Sequence, residues 1–376
     1  MNQPQRPARL DRRRLLLAGA AVPVSAALPA GCARPGPDYA AAVADTWRDT
    51  IPDSVQNRDQ LEREIVRFAT LAPSHRNRQP WRFELGPGWI RVQPDPARRL
   101  PVSDPDDHHL QVSLGAAIET MVVSAAAGGL YARVVPDGDG ARVEYAVGVP
   151  TVPQLYAAII RRQTARAPFS AEALPAPLLR ELEVAAGVAG APAVVVTDRG
   201  QIARILELTV LAAERQFRDP AWLAELQAWI RYDANEALNE RDGVYTAANG
   251  YATVPRWLGS RLFDLVTTPA RERVRYTDQF AGCGALLVIA SPQDDAAGWR
   301  AAGRGYQRAA LVATSQDVRS APANPALDFP ELRAQLAAEA GLGTARASVV
   351  LRLGRGGAEL PRSLRRPAAD VTTGQG

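Results

Sequence analysis

The chain has 376 residues, and its 44 basic residues are all arginine, because the sequence contains no lysine. That excludes a pyridoxal Schiff base, a Walker-type phosphate loop and a protein-kinase centre, each of which needs a lysine amine. The 40 acidic residues leave a net charge of +4 scattered along the whole chain, which argues against nucleic-acid binding, and 47% hydrophobic content is ordinary for a globular protein.

Asp11–Leu17 reads D-R-R-R-L-L-L and is followed by a short run of small apolar residues, Ala18–Leu28. A charged start, a brief apolar stretch and small residues form an export signal, too short for a membrane span. The pair Arg12-Arg13 resembles the twin-arginine signal used by proteins that fold before export. Residues 1–32 are therefore expected to route the chain to the periplasm or cell envelope. Leu28-Pro29-Ala30-Gly31-Cys32 resembles a lipoprotein cleavage box with a departure at Pro29, so Cys32 reads either as a lipid-bearing membrane attachment or as a bystander. Residues 33–54 read as a proline- and alanine-rich tether with a helical turn or two.

A first unit is expected over 55–150. Leu61–Leu71 has helical spacing, Trp81–Leu85 and Trp89–Val92 read as strands about Gly86-Pro87-Gly88, Asp107–Leu130 as a long buried helix, and Ala141–Val149 as a strand. A second unit, 151–371, repeats the order. Leu155–Arg162 and Pro177–Ala186 read as helices, Ala193–Thr197 and Ala285–Ser291 as strands, Trp299–Val318 as a long helix and Ala347–Leu353 as a strand. Shifting the first long helix by 188 positions lays Gly115 over Gly303 and Ala125 over Ala313. An α+β unit duplicated within one chain follows. An insertion, 198–282, interrupts the second unit with helical segments Ile202–Phe217 and Ala221–Trp229. An aromatic stretch through Tyr245, Tyr251 and Trp257 completes it. It reads as a lid or as an additional helical layer.

The most specific string is Ala72-Pro73-Ser74-His75-Arg76-Asn77-Arg78-Gln79-Pro80-Trp81. A helix ends at a proline, a polar turn follows, and a strand opens with tryptophan. Such a turn offers backbone N–H groups, a hydroxyl and two amides on one arc, suited either to the edge of a planar heterocycle or to a capped structural turn. Arg162-Gln163-Thr164-Ala165-Arg166 sets two guanidinium groups about a hydroxyl, suited to a phosphate dianion or to a solvated helix end.

The first string resembles the P-S-x-x-N-x-Q-P-W signature of the nitroreductase family at every fixed position. The tandem layout with an export signal is similar to the Acg branch of that family, over roughly residues 55–371. The resemblance implies an α+β nitroreductase-like fold duplicated as an intramolecular pseudo-dimer, so that a monomer carries the site. It also implies FMN at the interface between the halves. Pro73, Ser74, Asn77 and Gln79 would then hold the isoalloxazine and ribityl side, and Arg162, Thr164 and Arg166 the phosphate. Arg365-Arg366 resembles the family's terminal basic pair at the phosphate, and Asn324 falls where the family passes its backbone beside the reactive flavin nitrogen. The first half lacks a phosphate segment and the second lacks the turn (Ala189-Gly190-Ala191-Pro192), so one flavin per chain is expected. Small-molecule electron donors and electron-poor acceptors, nitroaromatic or quinone-like, would be the partners. A flavin-sequestering protein with little turnover is the alternative.

His75, at a variable position of the signature, is expected to be free to face solvent. Asp104-Pro105-Asp106-Asp107-His108-His109 carries metal-ligand types, but acids at a helix start are explained by capping and the helix dipole. Cys283 reads as a buried small residue.

Overall fold

A computed structural model describes residues 36–49, 58–149 and 153–373; the export-type segment with Cys32 lies outside them. In chain order, α1 (Pro37–Thr46) and α2 (Arg58–Thr70) precede β1 (Trp81–Gly86) and β2 (Trp89–Pro94). Helix α3 (His108–Ala127) and the hairpin β3 (Leu130–Asp137) and β4 (Gly140–Val147) follow. Next come α4 (Pro153–Arg161), α5 (Ala176–Ala186) and β5 (Ala193–Val196). The insertion holds α6 (Arg199–Gln216), α7 (Pro220–Ala228), β6 (Ile230–Arg231), α8 (Ala234–Glu240), β7 (Val244–Tyr245), α9 (Arg256–Val266) and α10 (Pro269–Ala281). After it run β8 (Ala285–Ala290), α11 (Ala296–Ser315), β9 (Arg319–Pro322), α12 (Pro330–Glu339) and β10 (Ala347–Gly354). The chain ends with α13 (Ala368–Val371) and β11 (Thr372–Thr373).

The two large sheets share one topology. The first runs β11-β1-β2-β4-β3 and the second β5-β8-β10-β9, so each of the duplicated sets is ordered first, second, fourth, third. The halves meet where α3 crosses α11. A Cβ on Gly115 would lie 2.1 Å from the Arg300 carbonyl oxygen, and one on Gly303 would lie 2.1 Å from that of Val112. Both contacts are related by the 188-residue offset that aligns the two glycines, which makes the crossing a pseudo-twofold axis. Only glycine lets the backbones approach this closely. Beside them Glu119, fully buried, accepts from Arg304 Nε at 2.9 Å and from Arg308, and Gln307 Nε2 donates to Thr120 Oγ1 at 3.0 Å. A buried carboxylate held from two sides avoids the penalty of an unpaired charge. Helix α3 has the length and hydropathy of a membrane span, yet nearly all of it is packed between the first sheet and α11.

The sheets differ in how they are covered. In β3 buried and exposed residues interleave, as expected of a sheet with one wet face, whereas every residue of β8 and β10 is buried. Leu286 and Val288 pack toward α6, α10 and α12, while Leu287 and Ile289 pack toward α5 and α11. Part of the insertion is therefore the helical layer on the outer face of the second sheet. Its aromatic stretch, to which the sequence reading assigned no element, runs from β7 into the start of α9, with α10 beyond.

Two expected boundaries move. The supposed tether contains a ten-residue helix, α1, fixed by Tyr39 Oη donating to the Arg362 carbonyl at 2.7 Å and by Trp47 Nε1 donating to that of Ser363 at 3.1 Å. The C-terminal arm returns to the other half, where β11 pairs in parallel with β1 and Val371 enters the first core. Without a long apolar run, neither attachment could be read from the sequence pattern.

Candidate functional site

The signature turn is strained. Arg76 (φ 53°), Asn77 (φ 53°) and Gln79 (φ 54°) all occupy the left-handed region, unusual for three non-glycine residues within four positions. Side chains hold it there. Ser74 Oγ accepts from the Gln79 N–H at 3.1 Å, and Arg78, fully buried, donates to the Arg98 carbonyl at 2.6 Å and to Asp104 Oδ2 at 3.2 Å. Asp104 in turn accepts from the N–H groups of His109 (2.8 Å) and Leu110 (2.9 Å) at the start of α3. The turn is thereby clamped to the central helix. Pro73 is buried at the end of the preceding segment.

The same turn reaches the C-terminal arm. Asn77 Nδ2 donates to the Leu364 carbonyl at 3.2 Å, and Gln79 Oε1 accepts from the Arg366 N–H at 2.8 Å. Asn77 Oδ1 is buried with no partner.

The phosphate-type segment arrives from the second half. Thr164 bridges in parallel to Ser320 on β9, and Arg162 Nη2 reaches back to the Leu71 carbonyl at 3.4 Å, at the start of the signature string. Arg162 and Arg365 are buried and Arg362 is half-buried, with Trp47 under Arg362 (4.7 Å) and Arg365 (5.1 Å). Among the described residues no carboxylate forms an ion pair with any of the three. Arg162 Nε, Arg362 Nη1 and Arg365 Nε are buried N–H groups without an acceptor. Burial, then the charge on Arg162, pulls the Arg365 guanidinium down to about 9, and the same two causes pull Arg362 down to about 10. Burial also lowers Arg162. Three guanidinium groups brought together without an ion-pair partner are suited to an anion. The Tyr306 hydroxyl, on α11, faces Arg162, Arg166 and Arg365 and hydrogen-bonds with Thr164. Arg166 stands more exposed and makes no ion pair among the described residues. Arg365 and Arg366 also line a polar cavity of about 240 Å³ with Arg67, Thr70 and Arg241, and with the carboxylates Asp45 and Glu64.

Pro73, Ser74, Asn77, Gln79, Arg162, Thr164 and Arg365 thus converge from both halves, with Arg166 at the margin. Arg366 contributes its backbone N–H to Gln79, while its side chain sits 3.8 Å from Asp95. Asn324 Oδ1 accepts from the Val350 N–H of β10 at 3.0 Å, which fixes the exit from β9. His75 does not face solvent but stacks on His109 at 4.5 Å, which itself meets Asp328 at 2.7 Å. Asp104 is a cap and an Arg78 partner. Cys283 is buried.

Sequence reasoning missed Arg362, Tyr306, Arg78 and Trp47. In an arginine-rich chain nothing marks one arginine above another, and Tyr306 is one of several polar residues on α11. It also missed how the insertion meets the turn. Gln79 Nε2 donates to the Arg241 carbonyl at 2.8 Å, the Gly243 N–H to the Asn77 carbonyl at 3.2 Å, and Arg98 pairs with Asp242 at 2.8 Å. Arg76 pairs with Glu225 at 3.3 Å and lies over Trp222 at 4.7 Å.

No family model matches the chain. A Mycobacterium tuberculosis protein with the provisional name NAD(P)H nitroreductase, found in two strains, is 27% identical over 286 residues, covering 74% of this chain and 80% of the relative. The chain is similar to nitroreductases. Solved nitroreductases are similar at greater distance. One from Anabaena variabilis is 12% identical, covering 84% of this chain and 91% of its own, with a TM-score of 0.43. An FMN-dependent nitroreductase from Mycobacterium smegmatis, solved with NADPH, is 19% identical over 55% of this chain and 89% of its own, with a TM-score of 0.35.

Proposed function

We propose that this nitroreductase-like chain is an exported FMN-dependent oxidoreductase with one flavin site per chain. The observation that carries it is the set of buried, acceptor-less guanidinium N–H groups of Arg162, Arg362 and Arg365, brought beside the strained Ser74–Gln79 turn. An FMN phosphate dianion supplies the missing acceptors, so the residues present fit the group. Bound FMN would supply two-electron transfer between a reduced donor and an electron-poor acceptor. The chain's own work is placement. Arg162, Arg362 and Arg365 hold the phosphate, Thr164 and Tyr306 orient it, and Arg166 adds charge at the mouth. Asn77, through its unpaired Oδ1, and the turn's backbone hold the planar end. NADPH, named with the Mycobacterium smegmatis structure, is the donor class to test, with nitroaromatics and quinones as acceptors.

A second reading has its own support. The insertion is fastened to the turn through Glu225, Arg241, Asp242 and Gly243, which favours a protein that retains flavin and exchanges substrate slowly. Arg12-Arg13 and the Leu28–Cys32 box support export by the twin-arginine route, with Cys32 as the point of lipid attachment. The test is anaerobic: NADPH bleaches the flavin of a working reductase within its turnover time, and leaves that of a sequestering protein yellow.

A further inference from the structure

Helix α9 buries one apolar edge and leaves other large apolar side chains exposed. Gly259 and Phe263 point inward, where a Cβ on Gly259 would meet the Tyr232 ring at 2.2 Å. Trp257 and Leu265 lie on the side away from them by helical spacing, 62% and 71% exposed, and Leu262 and Val266 on its flank are exposed as well. Large apolar side chains grouped in this way on a surface mark a contact site, unlike scattered ones. Within the same ridge Arg261 lies over the Trp257 ring at 5.9 Å, and Arg271 follows at the start of α10. Neither forms an ion pair among the described residues, while Asp264 is the single acid on the helix. Tryptophan and leucine flanked by unpaired arginines match the interface between acyl chains and anionic headgroups.

The path of the chain agrees. Arg256 on α9 pairs with Glu236 on α8 at 2.7 Å, and α8 packs against the first turn of α1 through Ala237 and Tyr39. The described chain therefore begins, at Gly36, beside α8, to which α9 is tied. Cys32 precedes Gly36 by four residues, a reach of at most about 14 Å when extended. A lipid on Cys32 would hold this side of the molecule at the membrane.

We propose that the outward face of α9 docks the folded protein on an anionic lipid surface. It goes beyond the flavin reading, and its test involves no flavin chemistry. The chain from residue 33 onward contains every described residue and carries no lipid. It is expected to co-sediment with vesicles of equal parts phosphatidylglycerol and phosphatidylcholine, more weakly in high salt, and poorly with phosphatidylcholine alone. Leu262→Ser with Leu265→Ser should cut that partitioning by about tenfold or more. Arg261→Gln with Arg271→Gln should remove the preference for the anionic vesicles. Both pairs should leave the circular dichroism spectrum and flavin content unchanged. Failure of the parent to bind anionic vesicles, or equal binding by the leucine variant, overturns the proposal. A parent dimer that the leucine variant converts to monomer, without vesicle binding, also overturns it and assigns the face to a second copy.

Discussion

Replacing Arg162 by methionine is expected to weaken flavin binding while leaving the unliganded protein as stable as before or more so. Arg162 is 3% exposed, its one backbone contact is a long 3.4 Å bond to the Leu71 carbonyl, and its Nε has no acceptor. Without a ligand it is a buried cation beside Arg362 and Arg365, so its removal relieves desolvation and repulsion. Methionine keeps the packing of the stem. With FMN bound, the same change deletes a charge-assisted hydrogen bond to phosphate, worth about 1.5–3 kcal/mol. That corresponds to roughly a 10- to 150-fold rise in Kd. Quenching of FMN fluorescence gives the Kd, and thermal unfolding with and without FMN separates the two effects. Affinity within a factor of about two of the parent would refute the phosphate assignment. So would an unliganded Tm that falls as far as the liganded one, since Arg162 would then be a structural brace.

Three further outcomes follow from other parts of the molecule. Gly115→Ala and Gly303→Ala should each destabilise by about 1–3 kcal/mol through the overpacked crossing of α3 and α11, and by similar amounts because the contacts are related by the pseudo-twofold axis; urea unfolding checks both. Asp328 lifts the His109 pKa above its ordinary value despite burial, whereas burial lowers His75 and His108. The His109–Asp328 contribution is therefore full below about pH 6.5 and is lost as pH rises through the folded pKa. His109→Gln should cost more stability at pH 5.5 than at pH 8.5, as read from urea midpoints (pH values approximate, about one unit or more on each side of the free imidazole). Asp242→Asn breaks contacts to Arg98 and Arg231 that anchor the insertion near the turn. It should raise the rate at which external reductant reaches bound flavin, measured by stopped-flow bleaching; an unchanged rate would show that the insertion does not limit access.

Chemistry in the sequence was legible where residue type and spacing are both constrained. The Pro73–Trp81 string located the turn, and the 188-residue offset laid Gly115 over Gly303, although that both glycines sit at the helix crossing is seen only in the structure. Period-2 and buried-run patterns gave β1, β2, β8 and β10. The short edge strands β9 and β11 carry too few residues for a period, so Arg319–Pro322 and Thr372–Thr373 passed unread. The bond from the Val350 N–H to the Asn324 carboxamide joins residues 26 positions apart and left no mark in the sequence pattern. Arg362 was missed for a related reason. Its role depends on being near Arg162 and Arg365 with no acid nearby, which is a property of three dimensions.

The central claim is a single flavin site built by the turn of one half and the arginines of the other. Loading the chain from residue 33 onward with excess FMN, removing the free ligand and measuring flavin absorbance per chain tests it most directly. One FMN per chain, reduced toward zero in Arg162→Met with Arg365→Met, is the predicted result. A colourless protein, or flavin retained undiminished by the double variant, would contradict it.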